Sequence, residues 1–225
     1  MPGSKTFSLG TFGCNLGCSF CQNHHLSRGH YEATHRYDYA GPEAIIDLAF
    51  QYNCRSVAFT YNEPTMFAEY AIDIAILAQK QKLGTVLVSN GYISMAAARE
   101  LYPLIDAANI DMKGFSEEFY STMTGSHLAP VLDAIRYYHS IGGHLELTNL
   151  IIPGKNDSEE MLIAYLDWVD AELDRKVPLH FSAYHPDYHY HDSPVPSVQQ
   201  LLDIRALARK RGFDHVYLGN VLIPD

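Results

Sequence analysis

Three of the chain's four cysteines crowd into one run, FGCNLGCSFCQNHH, as Cys14, Cys18 and Cys21, with gaps of three and two residues. An odd number of neighbouring thiols cannot all pair as disulfides. Thiolate sulfur selects zinc, copper(I) or iron–sulfur clusters. Zinc sites usually take cysteines in pairs, and no second pair follows here, although His24 or His25 could complete a Cys3His zinc site. A four-iron cluster usually takes four cysteines. Held by three, it keeps one iron with an open coordination position, and open metal positions are where chemistry happens. Between the cysteines, Gly17 permits a tight wrap and Phe20 presents an aromatic face.

Side chains of this kind need rigid elements beneath them. The sequence reads as an alternation of strands and helices. Strands are predicted over 6–12, 56–61, 85–89, 107–113, 144–151 and 178–184, with a final short one over 215–221. Helices are predicted over 41–52, opened by Pro42, then over 65–82 and over 94–102, the last stopped by Pro103. A broken helical crossover follows over 116–122 and 128–141. A further helix starts near 158, with Asp157 and Glu160 spaced as a capping box. The last is opened by Ser197 and Gln200 and ends in Arg209-Lys210-Arg211. Such alternation implies a parallel sheet with right-handed crossovers. About six or seven units fall short of the eight of a closed barrel. The expected fold is a partial, open (β/α)6-type barrel. A doubly wound open sheet is the alternative, and alternation alone does not separate the two.

In either fold, chemistry collects at the carboxyl ends of the strands. There the sequence places the cysteine loop, Asn62-Glu63-Pro64, Ser89-Asn90-Gly91, the pair Asp111 and Lys113, the run Pro153 to Asp157, and the run Tyr184 to Asp187. Glu63, Asp111 and Lys113 end apolar strands, where an unpaired charge is costly. A structural ion pair is the alternative explanation for Asp111 and Lys113, and ordinary turn chemistry for the Asn- and Gly-rich loops. Cys54 precedes the second strand. It is therefore expected at the opposite, amino end, as a buried apolar cysteine rather than a fourth ligand.

Composition narrows the class. Apolar residues make up 47% of 225, enough for a sizeable core. A formal net charge of −10 argues against a nucleic-acid scaffold. No apolar run reaches the length of a membrane span, and the amino terminus has no signal-peptide apolar core. A soluble, cytoplasmic protein of a reducing compartment is expected.

The spacing C-x3-C-x2-C, with an aromatic residue before the last cysteine, resembles the signature of radical S-adenosylmethionine (SAM) enzymes. With FTYNEPT, VSNGYI, DMKGF, NLIIPGKNDSEE, HFSAYHPDY and VYLGNV, the chain resembles the pyruvate formate-lyase activating-enzyme branch, and most of all the AmmeMemoRadiSam-system enzymes. The resemblance runs from Pro2 to about Val221 and implies a single radical SAM core domain over 1–225. It implies that Cys14, Cys18 and Cys21 hold a 4Fe–4S cluster and that SAM chelates the open iron. By the same resemblance, Phe20 would lie near the adenine, and Asn62 and Glu63 at the SAM amino group. Ser89, Asn90, Asp111 and Lys113 would meet its carboxylate and ribose. Ile152 would flank the adenine, and His185 would lie near the ribose. Val88 stands where activating enzymes often carry an acid, which argues against carrying over a cation site. The implied activity is reductive cleavage of SAM to a 5′-deoxyadenosyl radical, which abstracts hydrogen from a glycyl-radical-type protein or from a small molecule. The implied partner is a one-electron donor such as flavodoxin or ferredoxin.

Overall fold

The computed structural model describes residues 3–29 and 40–222. The resemblance's starting residue, Pro2, lies outside them. Among the described residues seven strands form one sheet: β1 Thr6–Leu9, β2 Ser56–Phe59, β3 Gly84–Ser89, β4 Ala107–Asp111, β5 His144–Ile151, β6 Leu179–Ala183 and β7 Val216–Gly219. All pairs are parallel, and the order runs from β1 to β7 without reversal. A doubly wound sheet reverses its strand order at a switch point, so this is the singly wound, open barrel. The short final strand expected over 215–221 is present as β7.

The helices are α1 His24–Ser27, α2 Pro42–Gln51, α3 Ala68–Lys80, α4 Met95–Leu101, α5 Glu117–Phe119, α6 Leu128–Ser140, α7 Glu159–Glu172 and α8 Val198–Lys210. Among the described residues none is long and apolar enough to cross a membrane.

Several boundaries shift for local reasons. β1 ends at Leu9, not at 12, because the Thr11 backbone N–H turns to the Asn62 side-chain oxygen at 2.8 Å. β2 ends at Phe59 because Tyr61 takes a φ of 74° and the Asn62 N–H closes back on the Thr60 carbonyl. Pro103 does not stop α4 outright. It sits in a 3-10 turn, Tyr102–Leu104, that continues the helix, where its missing N–H costs little. α7 is capped by Ser158, whose hydroxyl accepts from Met161 N–H. Asp157, expected in that role, instead accepts from the Gly154 N–H at 2.7 Å and the Gln200 side chain at 2.6 Å. The broken crossover is borne out: α5 runs into a π-helical turn, Tyr120–Thr124, and Gly125 at φ 67° separates that turn from α6.

Alternation along each strand gives the sheet two unlike faces. One face carries Val57, Phe59, Leu87, Ile110, Leu145, Leu147, Phe181 and Val216, all buried in the core with the helices. Register carries the other face across the sheet: Val88 pairs with Asn109, Asn109 with Glu146, Thr148 with His180, and His180 with Tyr217. On β1 to β3 that inner face carries small residues or valine, namely Ser8, Ala58, Val86 and Val88. On β5 to β7 it is mostly polar, with Leu150 an apolar exception.

Candidate active site

A cavity of about 250 Å³ lies at the carboxyl ends of the strands. Cys14, Cys18 and Cys21 line it together with Phe20, Asn62, Glu63, Ser89, Asn90, Asp111 and Lys113. Ten sequence-predicted residues from four separate loops thus share one space. Two do not. Ile152 is fully buried, its N–H held by the Asn156 side chain at 2.7 Å, and His185 is exposed on the loop after β6. Leu150, two residues before Ile152 on the inner face, lines the cavity instead. Cys54 is buried ahead of β2 and takes no part in the lining.

The cysteine loop is held from two sides. Gly17 N–H donates to the Thr124 carbonyl at 2.7 Å, and Ser19 N–H to that of Met123, so the loop docks on the end of the π-helical turn. A Cβ at Gly17 would stand 3.3 Å from the Thr124 oxygen, a tight contact at the point where the loop docks. Across the cavity, Asn62 accepts from Thr11 N–H and donates to the Thr11 hydroxyl and the Gly13 carbonyl. Its side chain therefore ties the loop's entry to the end of β2.

Glu63 does the same for the next loop. Its carboxylate is 2% exposed. One oxygen accepts from Thr65 N–H, Thr65 hydroxyl and Ser89 hydroxyl at 3.0, 2.7 and 2.8 Å, and the other accepts from Asn90 N–H at 2.8 Å. Burial pushes its pKa up, against the pull of these bonds. The Ser89 hydroxyl also accepts from Gly91 N–H, and Gly91 takes the left-handed φ of 71° that this turn requires. The side chains of Asn62, Glu63 and Ser89 are thus spent on one another and on backbone. They form a frame.

Donors beside this frame reach the Cys14 sulfur. Asn90 Nδ2 points at Cys14 Sγ from 3.6 Å, and Leu16 N–H from 3.4 Å. The Ser27 hydroxyl lies 3.0 Å from Cys21 Sγ. Gln22, which lines the cavity, has a buried amide nitrogen with no protein partner. Phe20 is buried and tilts against Phe119 at 6.0 Å between ring centres.

All four cysteines are free thiols. Burial raises the Cys14 pKa and pushes Cys18 up to about 11, with Lys113 pulling the other way. Lys113 Nζ lies 2.7 Å from Asp111 Oδ2, so the structural ion pair exists, and it stands on the cavity wall. Burial is the largest single influence on Lys113 and would lower its pKa. Asp111, Cys18 and the hydrogen bond together overcome it and hold the ammonium above its ordinary value. A fixed positive charge beside Cys18 suits a site that gathers thiolates.

Sequence reasoning missed Gln22, Thr60, Tyr61, Thr148, Leu150, Ser182 and Asn220, which also line the cavity. For Thr148, Leu150 and Ser182 the signal was present: period-two alternation puts them on the face that Asp111 shares.

Comparison with known proteins agrees with this geometry. A family model described as the Radical SAM superfamily matches residues 8–169. An uncharacterized protein of Methanocaldococcus jannaschii is 37% identical over 220 residues, covering 98% of this chain and 65% of that protein. The pyruvate formate-lyase-activating enzyme of Clostridium pasteurianum is 26% identical over 155 residues, 66% of this chain and 62% of that enzyme. This chain spans less than two thirds of the length of either relative. A crystal structure of a domain of pyruvate-formate lyase-activating enzyme from Bacteroides vulgatus has the same fold. Its TM-score is 0.63 at 18% identity, over 73% of this chain and 99% of that domain. The chain therefore belongs to the radical SAM superfamily, whose members use a 4Fe–4S cluster and SAM.

Proposed function

We propose that Cys14, Cys18 and Cys21 hold a 4Fe–4S cluster whose open iron takes SAM, and that this single core domain activates a glycyl-radical-type protein. The observation that carries the metal site is the placement of three thiols around one cavity with a framed, hydrogen-bonding wall opposite. The residues present fit the group. Three thiols spread around one cavity suit a cluster, whose ligands surround a body larger than a single ion. Sulfur-directed donors from Asn90 and Leu16 are of the kind that tune such clusters. The unpartnered Gln22 amide offers one more donor at the same place.

When bound, the cluster and SAM supply one-electron cleavage to a 5′-deoxyadenosyl radical that takes hydrogen from the substrate. The chain's own contribution is placement. Asn62 and Glu63 fix the loops, and the backbone they hold at the ends of β2 and β3 would face the SAM amino group. Asn90 and the Asp111–Lys113 pair would receive its polar tail, and Phe20 would bound its adenine. Ser89 acts through Glu63. Ile152 and His185 would contribute from the loops outside the cavity lining. A flavodoxin or ferredoxin would supply the electron.

The activating-enzyme subtype is supported by the relatives named pyruvate formate-lyase-activating enzyme and putative glycyl-radical enzyme activating enzyme. One observation favours a small-molecule substrate instead: the inner face below the cavity is polar and carries ionisable groups. Electron paramagnetic resonance of anaerobic, SAM-supplied mixtures with co-purifying protein separates the two. A glycyl doublet on a second protein supports the activating subtype. Turnover of SAM with a radical only on low-mass products overturns it.

A further inference from the structure

The inner face continues below the cavity. Thr148 lines the cavity, and Glu146 lies two residues earlier on β5, roughly 7 Å deeper along the same face. Glu146 Oε2 meets His180 Nε2 at 2.7 Å, and Oε1 meets His144 Nε2 at 2.9 Å. The His180 ring stacks on Tyr217 at 5.2 Å between centres. Hydrogen bonding from His180 first, and then from His144, holds the Glu146 carboxyl down to about 2.

These groups are unlike the filling of a barrel, whose interior layers are normally branched aliphatics. A hydrogen-bonded polar trio in that position, joined to a catalytic cavity by one strand face, needs a role. The carboxylate is anionic, and each oxygen keeps a second lone pair after its bond to an imidazole. With Nε2 of each ring committed to Glu146, Nδ1 is its other polar atom. Tyr217 is 49% exposed and adds an aromatic face. Asn109, Thr148 and Ser182 on the same face are uncharged, and Lys113 beside them is paired with Asp111. Acceptors, one negative charge and an aromatic surface all favour a cation.

We propose that Glu146, His144, His180 and Tyr217 form a substrate-binding wall that takes an ammonium group. The inference rests on the radical SAM reading for the identity of the bound molecule as substrate. The binding itself does not require it.

The test uses the reconstituted, SAM-bound enzyme with 15N-labelled histidine, its ring signals assigned by single histidine substitutions. Methylammonium chloride should shift the His144 and His180 signals saturably, while sodium chloride should not. Glu146→Gln should weaken that response about tenfold, as for loss of a charge-assisted hydrogen bond. Should Glu146→Gln fold poorly, Tyr217→Leu gives a second reading, with a loss of roughly threefold. A lysine-containing tripeptide amide locates the source of the group. If it binds, the ammonium belongs to a protein side chain, and if only methylammonium binds, to a small molecule. No saturable shift, an equal shift with sodium acetate, or an unchanged response in both variants overturns the proposal. Formation of 5′-deoxyadenosine is measured on the same samples. Its absence refutes the radical SAM reading, whereas its presence without an ammonium response refutes the wall alone.

Discussion

The two faces of the sheet are built from alternate residues of the same strands, yet they do opposite things. On the outer face, Leu147, Phe181 and Ile110 are fully buried and join one core with the helices. On the inner face, neighbours one residue away are Glu146, Thr148, Ser182 and Asp111, half-exposed and polar. The outer face holds the fold together by apolar burial. The inner face, small on one side and polar on the other, keeps an open space at the carboxyl ends and lines it with donors, acceptors and charge. Stability and chemistry are thereby separated at single-residue resolution along a strand.

Substitutions on the two faces should separate in the same way. The largest effect is all or none: Cys14→Ala, Cys18→Ala or Cys21→Ala should abolish iron binding, while Cys54→Ala, at the amino end, should keep the full iron content. Iron loss on changing Cys54 would break the distinction between the two ends. On the outer face, Phe181→Ala should cost about 3–5 kcal/mol in denaturant unfolding through lost burial and a cavity. Glu63→Ala, which strands four donors, should cost about 3 kcal/mol and loosen both loops it ties. On the inner face, Glu146→Gln should lower the neutral stability and flatten the acid limb. The Glu146 carboxyl is held at about 2 in the folded state against an ordinary 4.5, so the unfolded chain binds more protons between those values. Its contribution is complete above about pH 4.5 and is lost as pH falls toward 2. Thermal melts across that window should be flatter in Glu146→Gln. The smallest effect belongs to Ser182→Ala, which should stay within about 0.5 kcal/mol of the parent. A loss as large as that of Phe181→Ala would show that the inner face is packed core after all.

Much of this was legible in the sequence. The β-rich runs between helical segments marked the strands, and the placement of polar runs after them named nine residues that line one cavity, with Phe20 added by the resemblance. Strand order, which decides between an open barrel and a doubly wound sheet, is a tertiary fact that no local pattern carries. The side-chain roles were also hidden. Asn62 and Glu63 read as groups pointing at a ligand. Their bonds to Thr11, Gly13, Thr65, Ser89 and Asn90 join segments far apart in sequence. Asp157 was misread as a cap because the spacing to Glu160 fitted one, whereas Gln200, some forty residues on, competes for its carboxylate. The wall at Glu146 escaped notice because His144, Glu146 and His180 sit inside strands, where attention to strand ends does not look.

The central claim is that three cysteines hold a cluster able to cleave SAM. The direct measurement is 5′-deoxyadenosine formed by anaerobically reconstituted protein with a strong reductant and SAM, alongside iron and sulfide analysis. The parent chain and Cys54→Ala should carry about four irons, the content of a 4Fe–4S cluster, and release 5′-deoxyadenosine, while Cys18→Ala should do neither. A colourless parent protein holding one zinc and leaving SAM intact would contradict the account.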